Sequence, residues 1–244
     1  MGRGFLGCAC LGVVGVLVAA GCGSSKKQSD LLFVSSRSGA YAIYAMSASG
    51  DGQRRLTSDS LPQATGPASL FFQVDPAWSA DGRFVAFGSA RTGKPQLYRM
   101  HVESIVTRRL TSLAHGAARA SWSPDGKRIA FIEDEPGNLW VMRSDGTGAR
   151  QIGGGLKNES DPAWSPDGTL IAYVLRTPGT DAKEVWVVHP DGTGKQRVTH
   201  LSASVGSPTW SPDSSRLAFA TNARGHFEIS VIGLDGSGLK RLTE

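Results

Sequence analysis

Asp161-Pro162-Ala163-Trp164-Ser165-Pro166-Asp167-Gly168 recurs three times in altered form, as Asp75–Gly82 (DPAWSADG), Arg119–Gly126 (RASWSPDG) and Ser207–Ser214 (SPTWSPDS). The tryptophans, Trp78, Trp122, Trp164 and Trp210, stand 44, 42 and 46 residues apart. Self-similarity at a period of roughly 40–50 residues points to stacked structural units. Within a period the same order returns: the tryptophan segment, an apolar run such as Leu170–Val174, a second such as Val185–Val188, and a short run such as Gln196–Val198. Pro-Asp-Gly after the tryptophan and Asp-Gly before the last run (Asp145-Gly146, Asp191-Gly192) are the residues tight hairpins require.

Working outward, the pattern gives four strands in each of the units 75–111, 119–152, 161–199 and 207–243. A first unit has three, at 31–36, 42–46 and 54–57, and carries no tryptophan strand. Nineteen short strands with no amphipathic helix predict an all-β repeat protein. A four-stranded sheet cannot cover both of its faces. Radial stacking solves this, so the expectation is a β-propeller of about five blades, the first incomplete. Four readings stay open: a first blade lacking its inner strand, a five-blade ring, an open array completed by a partner or by self-association along an exposed edge, or a truncated chain.

The motif P-x-W-S-P-D-G, I-A-F/Y, I-Y-x-M, D-G-x-x, R-L-T resembles the WD40-like repeat of TolB-type propellers, over residues 31–244. That resemblance implies the propeller fold and a role in engaging other envelope proteins through a channel mouth. Propellers host many unrelated activities, so fold alone does not give function.

Composition narrows the classes. Of 244 residues, 40% are hydrophobic and 19% charged, which excludes a disordered chain. The net charge is +5, with basic residues scattered rather than drawn into a stripe, so no nucleic-acid partner is expected. All three cysteines, Cys8, Cys10 and Cys22, lie within the first 22 residues, leaving the repeats without disulfide or thiolate metal ligands. Residues 1–21 read as a signal peptide, with Arg3 before an apolar stretch too short and Gly-rich to span a membrane. Val18-Ala19-Ala20-Gly21-Cys22 resembles the lipobox of bacterial lipoproteins, although Ala19 stands where leucine is usual. The resemblance implies lipidation of Cys22, with residues 22–30 as a polar tether; the alternative is a signal peptide cut to leave a soluble protein.

Four positions are candidates for binding at the mouth of the central channel: Asp75, Arg119, Asp161 and Ser207, each three residues before a tryptophan. They are expected to precede the innermost strand and crowd one rim, either as a mutual polar ring or as a funnel for a cation, sugar or peptide terminus. The four tryptophans are read as inter-blade packing, and Asp81, Asp125, Asp167 and Asp213 as turn residues. Arg37, Arg91, Arg176 and Arg224 recur after the second strand, with Asp134 in the third unit, and are read as loop structure. His101, His115, His189, His200 and His226 fall at unmatched positions and are read as surface residues. No G-x-S-x-G, H-E-x-x-H or C-x-x-C occurs, and Gly192-Thr193-Gly194-Lys195 lacks the first glycine and the Ser/Thr of a phosphate loop. No catalytic residue, metal site or cofactor is expected.

The reading is a non-enzymatic lipoprotein of the bacterial envelope, facing the periplasm or exterior. It binds envelope protein partners through loops 58–74, 112–118, 153–160 and 200–206, and meets the membrane through the lipid on Cys22. The alternatives are glycan or small-ligand binding and a polysaccharide-lyase type of enzyme. Cys22→Ala is expected to move the protein from the membrane to the soluble fraction on cell fractionation; retention in the membrane would remove the lipid anchor from this reading.

Overall fold

The computed structural model describes residues 31–37, 42–57, 75–153 and 158–243. The signal peptide, Cys22, the tether, the connector 58–74 and residues 154–157 lie outside the described residues. The described chain contains no helix. Blade 1 is β1 (Leu31–Ser35), β2 (Ala42–Met46) and β3 (Arg54–Arg55). Blade 2 is β4 (Ala77–Trp78), β5 (Phe84–Ser89), β6 (Gln96–His101) and β7 (Thr107–Arg109). Blade 3 is β8 (Ala117–Trp122), β9 (Arg128–Glu133), β10 (Asn138–Arg143) and β11 (Arg150–Gln151). Blade 4 is β12 (Glu159–Trp164), β13 (Ile171–Arg176), β14 (Lys183–Val188) and β15 (Gln196–Arg197). Blade 5 is β16 (Val205–Trp210), β17 (Arg216–Thr221), β18 (Glu228–Gly233) and β19 (Lys240–Arg241). Every sheet is an antiparallel meander in chain order, three strands in blade 1 and four in the others. This is the β-propeller the repeat predicts.

The larger apolar cores form between blades, while Phe33, Ala42 and Tyr44 make a small cluster within blade 1. Leu32 and Ile43 of blade 1 share a cluster with Trp78, Val85 and Phe87 of blade 2. Ala86 and Leu97 of blade 2 pack with Trp122 and Phe131 of blade 3, and Ile132 and Leu139 of blade 3 with Trp164 and Tyr173 of blade 4. Val174 and Val185 of blade 4 meet Leu217 and Phe219 of blade 5. Each tryptophan therefore reaches back onto the preceding blade, as the spacing predicts. Trp122 and Trp210 fix their rings by donating Nε1–H to the carbonyls of Ala77 (3.0 Å) and Ala163 (2.9 Å). Trp78 and Trp164 differ, their ring nitrogens buried without an acceptor, and the Trp164 backbone N–H donates to the Ser121 hydroxyl at 2.9 Å.

The turns carry the chemistry their sequence announces. In S-P-D-G, the serine hydroxyl donates to the aspartate (Ser123–Asp125 2.5 Å, Ser165–Asp167 2.6 Å) and accepts the N–H five residues on (Arg128 and Leu170, both 2.9 Å). The aspartate accepts the N–H two residues on, from Lys127 and Thr169 at 3.0 Å. These donors, the Ser211 hydroxyl first and the Ser215 amide next, bring the Asp213 carboxyl down to about 2. Gly126 and Gly168 supply the positive φ the turn requires, and Ser214 adopts it (φ 59) where glycine is missing.

A second device closes each blade. The threonine of R-L-T (R-V-T in blade 4) accepts the N–H of an early residue of the strand before the last one: Thr57 from Ile43 (3.0 Å), Thr111 from Leu97, Thr199 from Val185 and Thr243 from Ile229 (2.9 Å each). Blade 3 has Gly153 there, and Glu159 of blade 4 accepts the Leu139 N–H at 2.6 Å instead. A β-carbon at 153 would collide with that carboxylate. In blade 5 the equivalent positions differ, with Ile229 and Leu242 exposed.

Trp164→Ala removes the ring that joins blades 3 and 4 and is expected to cost about 3–5 kcal/mol, read as a fall in the denaturant midpoint. An unchanged midpoint would overturn the inter-blade role of this residue.

Candidate binding site at the channel mouth

The inner strands β8, β12 and β16 are six residues long, and the candidate side chains lie inside them. This corrects the expectation that they precede the strand. Pairing passes from Ala118 opposite Ile132 to Ser121 opposite Ala130, from Ser160 opposite Val174 to Ala163 opposite Ala172, and from Gly206 opposite Ala220 to Thr209 opposite Ala218. In each case two residues face one, which is a β-bulge. Its first residue is Arg119 (φ 55), Asp161 (φ 51) or Ser207 (φ 52). Left-handed backbone at a residue with a β-carbon costs about 1–2 kcal/mol, yet none of the three is glycine. The same strained backbone carries a cation, an anion and a hydroxyl, so the bulge does not dictate the charge of its side chain. In blade 2, β4 is short, and Asp75 does stand before it, as expected.

Arg119 Nε lies 3.6 Å from Asp161 Oδ1, each side chain about one-third exposed. Two more carboxylates surround this pair. The Asp75 carboxyl is pushed up, by burial above all, with Arg119 pulling it down and Asp161 pushing it further up. The Asp134 carboxyl is also raised, by burial first, with Arg119 opposing and Asp75 and Glu135 adding to the shift. Asp75 as a residue is exposed, so its crowded carboxyl lies beside open solvent. Ser207 is exposed on the adjoining bulge. Three carboxylates from blades 2, 3 and 4 thus share one guanidinium, leaving a local excess of negative charge in a chain of net charge +5.

Asp134 is a member that reading the sequence did not place here. It lies near the place where the other units carry arginine after the second strand, and that break in the series was its only signal. The arginines serve their own blades: Arg37 stacks on Phe33 and Tyr44 (5.0 and 4.8 Å), Arg91 on Phe87 and Tyr98 (5.4 and 4.4 Å). Arg176 pairs with Asp181, and Arg224 lies 3.9 Å from Glu228. Gly116 (φ 88) admits the aspartate, because a β-carbon there would lie 3.1 Å from Asp134 Oδ2 and 3.0 Å from the Pro95 carbonyl. Around this rim, crossing segments lie beside the hairpins between second and third strands, through Ala117 N–H to Pro95 O and Lys183 N–H to Ala203 O (both 2.8 Å).

Elsewhere, a cleft of about 350 Å³ opens at the other end of the inner strands, between the turns of blades 2 and 3. Arg99 bridges that cleft, stacking on Phe84 at 4.5 Å and donating to the Ser144 carbonyl at 2.8 Å, so its polar groups serve the blade contact. His115, His189, His200 and His226 are exposed and His101 is half-buried. Among the described residues, no three His, Cys, Asp or Glu side chains gather to hold a metal ion.

The family model described as the TolB beta propeller domain matches residues 25–205 and again 138–244. The Tol-Pal system protein TolB of Anaeromyxobacter dehalogenans strain 2CP-C is 41% identical over 93 residues, 37% of this chain and 20% of that protein. The matched region thus spans about a fifth of the length of that curated relative. TolB from Acinetobacter baumannii superposes with a TM-score of 0.71 at 21% identity, covering 88% of this chain and 51% of that one. An oligogalacturonate lyase in complex with manganese superposes with a TM-score of 0.61 at 16% identity, covering 87% of this chain and 61% of the lyase. At these identities the two structures speak for the fold alone.

Asp134→Asn is expected to stabilise the protein at neutral pH. The folded carboxyl has a raised pKa, so the native state is penalised as pH rises through the unfolded value of 3.8 and then the folded one, and the full penalty stands above both. The rise in melting temperature over wild type should therefore be larger at pH 7 than at pH 3.5. Equal differences at the two values would mean that the charge carries no such cost.

Proposed function

This chain belongs to the TolB β-propeller family, and we propose that it is a cell-envelope lipoprotein whose propeller binds a segment of a protein partner at the channel mouth. The observation that carries this reading is the gathering of Asp75, Asp134 and Asp161 around the single guanidinium of Arg119. Two of those carboxyls are raised by burial, so the native state bears a cost to keep them charged. Ionisable groups held at such a cost at an accessible mouth are candidates for recognition. Their net negative charge suits a partner segment bearing lysine, arginine or a free amino terminus, and Arg119 can take a carboxylate or backbone carbonyl beside it. The crossing segments at this rim are loops on a rigid scaffold, where recognition is usually built. Lipidation of Cys22 would confine the propeller to a membrane surface and raise its effective concentration toward partners there. No catalytic step is assigned to it.

Cross-linking of the lipidated protein in its own membranes, followed by mass spectrometry, is expected to recover one envelope protein near one-to-one. Asp75→Asn with Asp161→Asn should lose that protein, while binding should survive in Arg176→Ala, which lies outside the mouth. Recovery of background alone, together with a melting shift from an oligogalacturonate, would replace this reading with glycan binding.

A further inference from the structure

At the end of the inner strands away from the mouth, the turns of neighbouring blades meet at two junctions and stand apart at a third. Between blades 3 and 4 they touch, since a β-carbon on Gly168 would lie 3.2 Å from the Pro124 ring. Between blades 4 and 5 the Asp167 N–H donates to the Ser214 hydroxyl at 3.1 Å. Between blades 2 and 3 the same place is the cleft of about 350 Å³, and a β-carbon on Gly126 would meet nothing within 4 Å. The sequence supplies the reason. Ala80 stands where the other turns carry Pro124, Pro166 and Pro212, so the ring that closes the next junction is missing here.

A second departure lies in the same cleft. Two positions beyond Leu97, Leu139 and Val185, whose N–H groups donate to Thr111, Glu159 and Thr199, stand Arg99, Val141 and Val187. The two valines are buried in the cores between blades, whereas Arg99 is half-buried and lines the cleft. Its bond to the Ser144 carbonyl uses one of five guanidinium N–H donors. Among the described residues it makes no ion pair, and directly across the ladder stands a second cation, Arg108. Like charges in that relation cost stability. Asp81 and Asp125, on the two turns that bound the opening, each spend Oδ1 on a serine hydroxyl and a backbone N–H. Among the described residues nothing donates to either Oδ2. The Ser123 hydroxyl first and the Lys127 amide next hold the Asp125 carboxyl below its ordinary range, so it stays charged. Trp122 and Phe84 add apolar wall.

We propose that this cleft is a second binding site, which takes a small zwitterion: a free amino acid or a dipeptide. Its volume is near the lower end of the roughly 300–1,000 Å³ of small-molecule sites. Arg99 receives the carboxylate as a charge-assisted bond, Oδ2 of Asp81 and of Asp125 receive the ammonium, and the hydrocarbon part lies along Trp122. Two carboxylates beside one cation repel a polyanion, and an apolar ligand would leave all three charges unanswered. The fold does not require the opening, because proline at 80 and valine at 99 are what the neighbouring blades use. All of the cleft's lining residues belong to blades 2 and 3. The described residues flanking 38–41, 58–74 and 154–157 stand at the mouth end, and Leu31 opens blade 1, a full blade away. The site is separate from the mouth and does not rest on its assignment.

The test is a melting-shift screen of the full chain against the free amino acids and a panel of dipeptides, followed by calorimetric titration of the strongest member. Saturable one-to-one binding is expected, and it should be lost when the same compound is N-acetylated or amidated at its carboxyl. Ala80→Pro should raise the melting temperature of the free chain and abolish the binding. Arg99→Val should weaken it by about tenfold or more, as loss of a bond to a charged group implies. Both variants install residues that neighbouring blades carry at the same place, so a loss of binding in them is not a loss of fold. Absence of binding across the panel, or binding that Ala80→Pro leaves unchanged, overturns the proposal. Binding of D-glucuronate with no zwitterion bound would overturn the ammonium assignment in favour of a sugar acid.

Discussion

A four-stranded sheet with apolar side chains on both faces leaves one face in water unless another element covers it, and in this protein the cover always comes from the next repeat. Trp122, Trp164 and Trp210 each lie at the end of an inner strand and press onto the blade before. The core is therefore a row of interfaces, with each blade incomplete until its successor arrives. Stability in such an array is close to a sum over neighbouring pairs. Damage at one tryptophan then separates two particular blades instead of softening the whole.

This dependence explains why so much polar chemistry sits at the crossings between blades. The threonine latches join the last two strands of a blade, and Gln96 and Glu184 tie the departing chain before it enters the next inner strand. Blade 3 keeps the function while changing the parts, since Glu159 takes the N–H of Leu139 and Gly153 vacates the space. A buried backbone donor must find an acceptor from somewhere. Where the local residue cannot provide one, a neighbouring blade does.

The strands and turns were legible because their causes are local. Apolar alternation, Pro-Asp-Gly and Asp-Gly act within a few residues, and the nineteen strands come in the order that reading gives, although the inner strands β8, β12 and β16 begin two residues earlier than it places them. The tryptophans were legible too, since an aromatic returning at one period has few uses besides stacking. The mouth was read only in part. Asp75, Arg119 and Asp161 could be picked out by register, but the bulge that holds two of them is silent in sequence: it carries arginine, aspartate and serine where glycine would have announced it. Asp134 joins the group through the charges of Arg119 in its own blade and Asp75 in blade 2, which only the folded arrangement brings near it. The R-L-T threonine was visible as a motif, while its role depends on an N–H fourteen residues away.

At the mouth, charge is present that folding does not need, since burial opposes the ionised forms of Asp75 and Asp134 and one guanidinium is shared among three carboxylates. The repeats act as an internal reference, because the other blades show what the scaffold itself requires. A position that departs from that reference at an energetic cost is not explained by the scaffold, and binding is the use of a surface that can recover the cost. The mouth favours a cationic group that need not be extended.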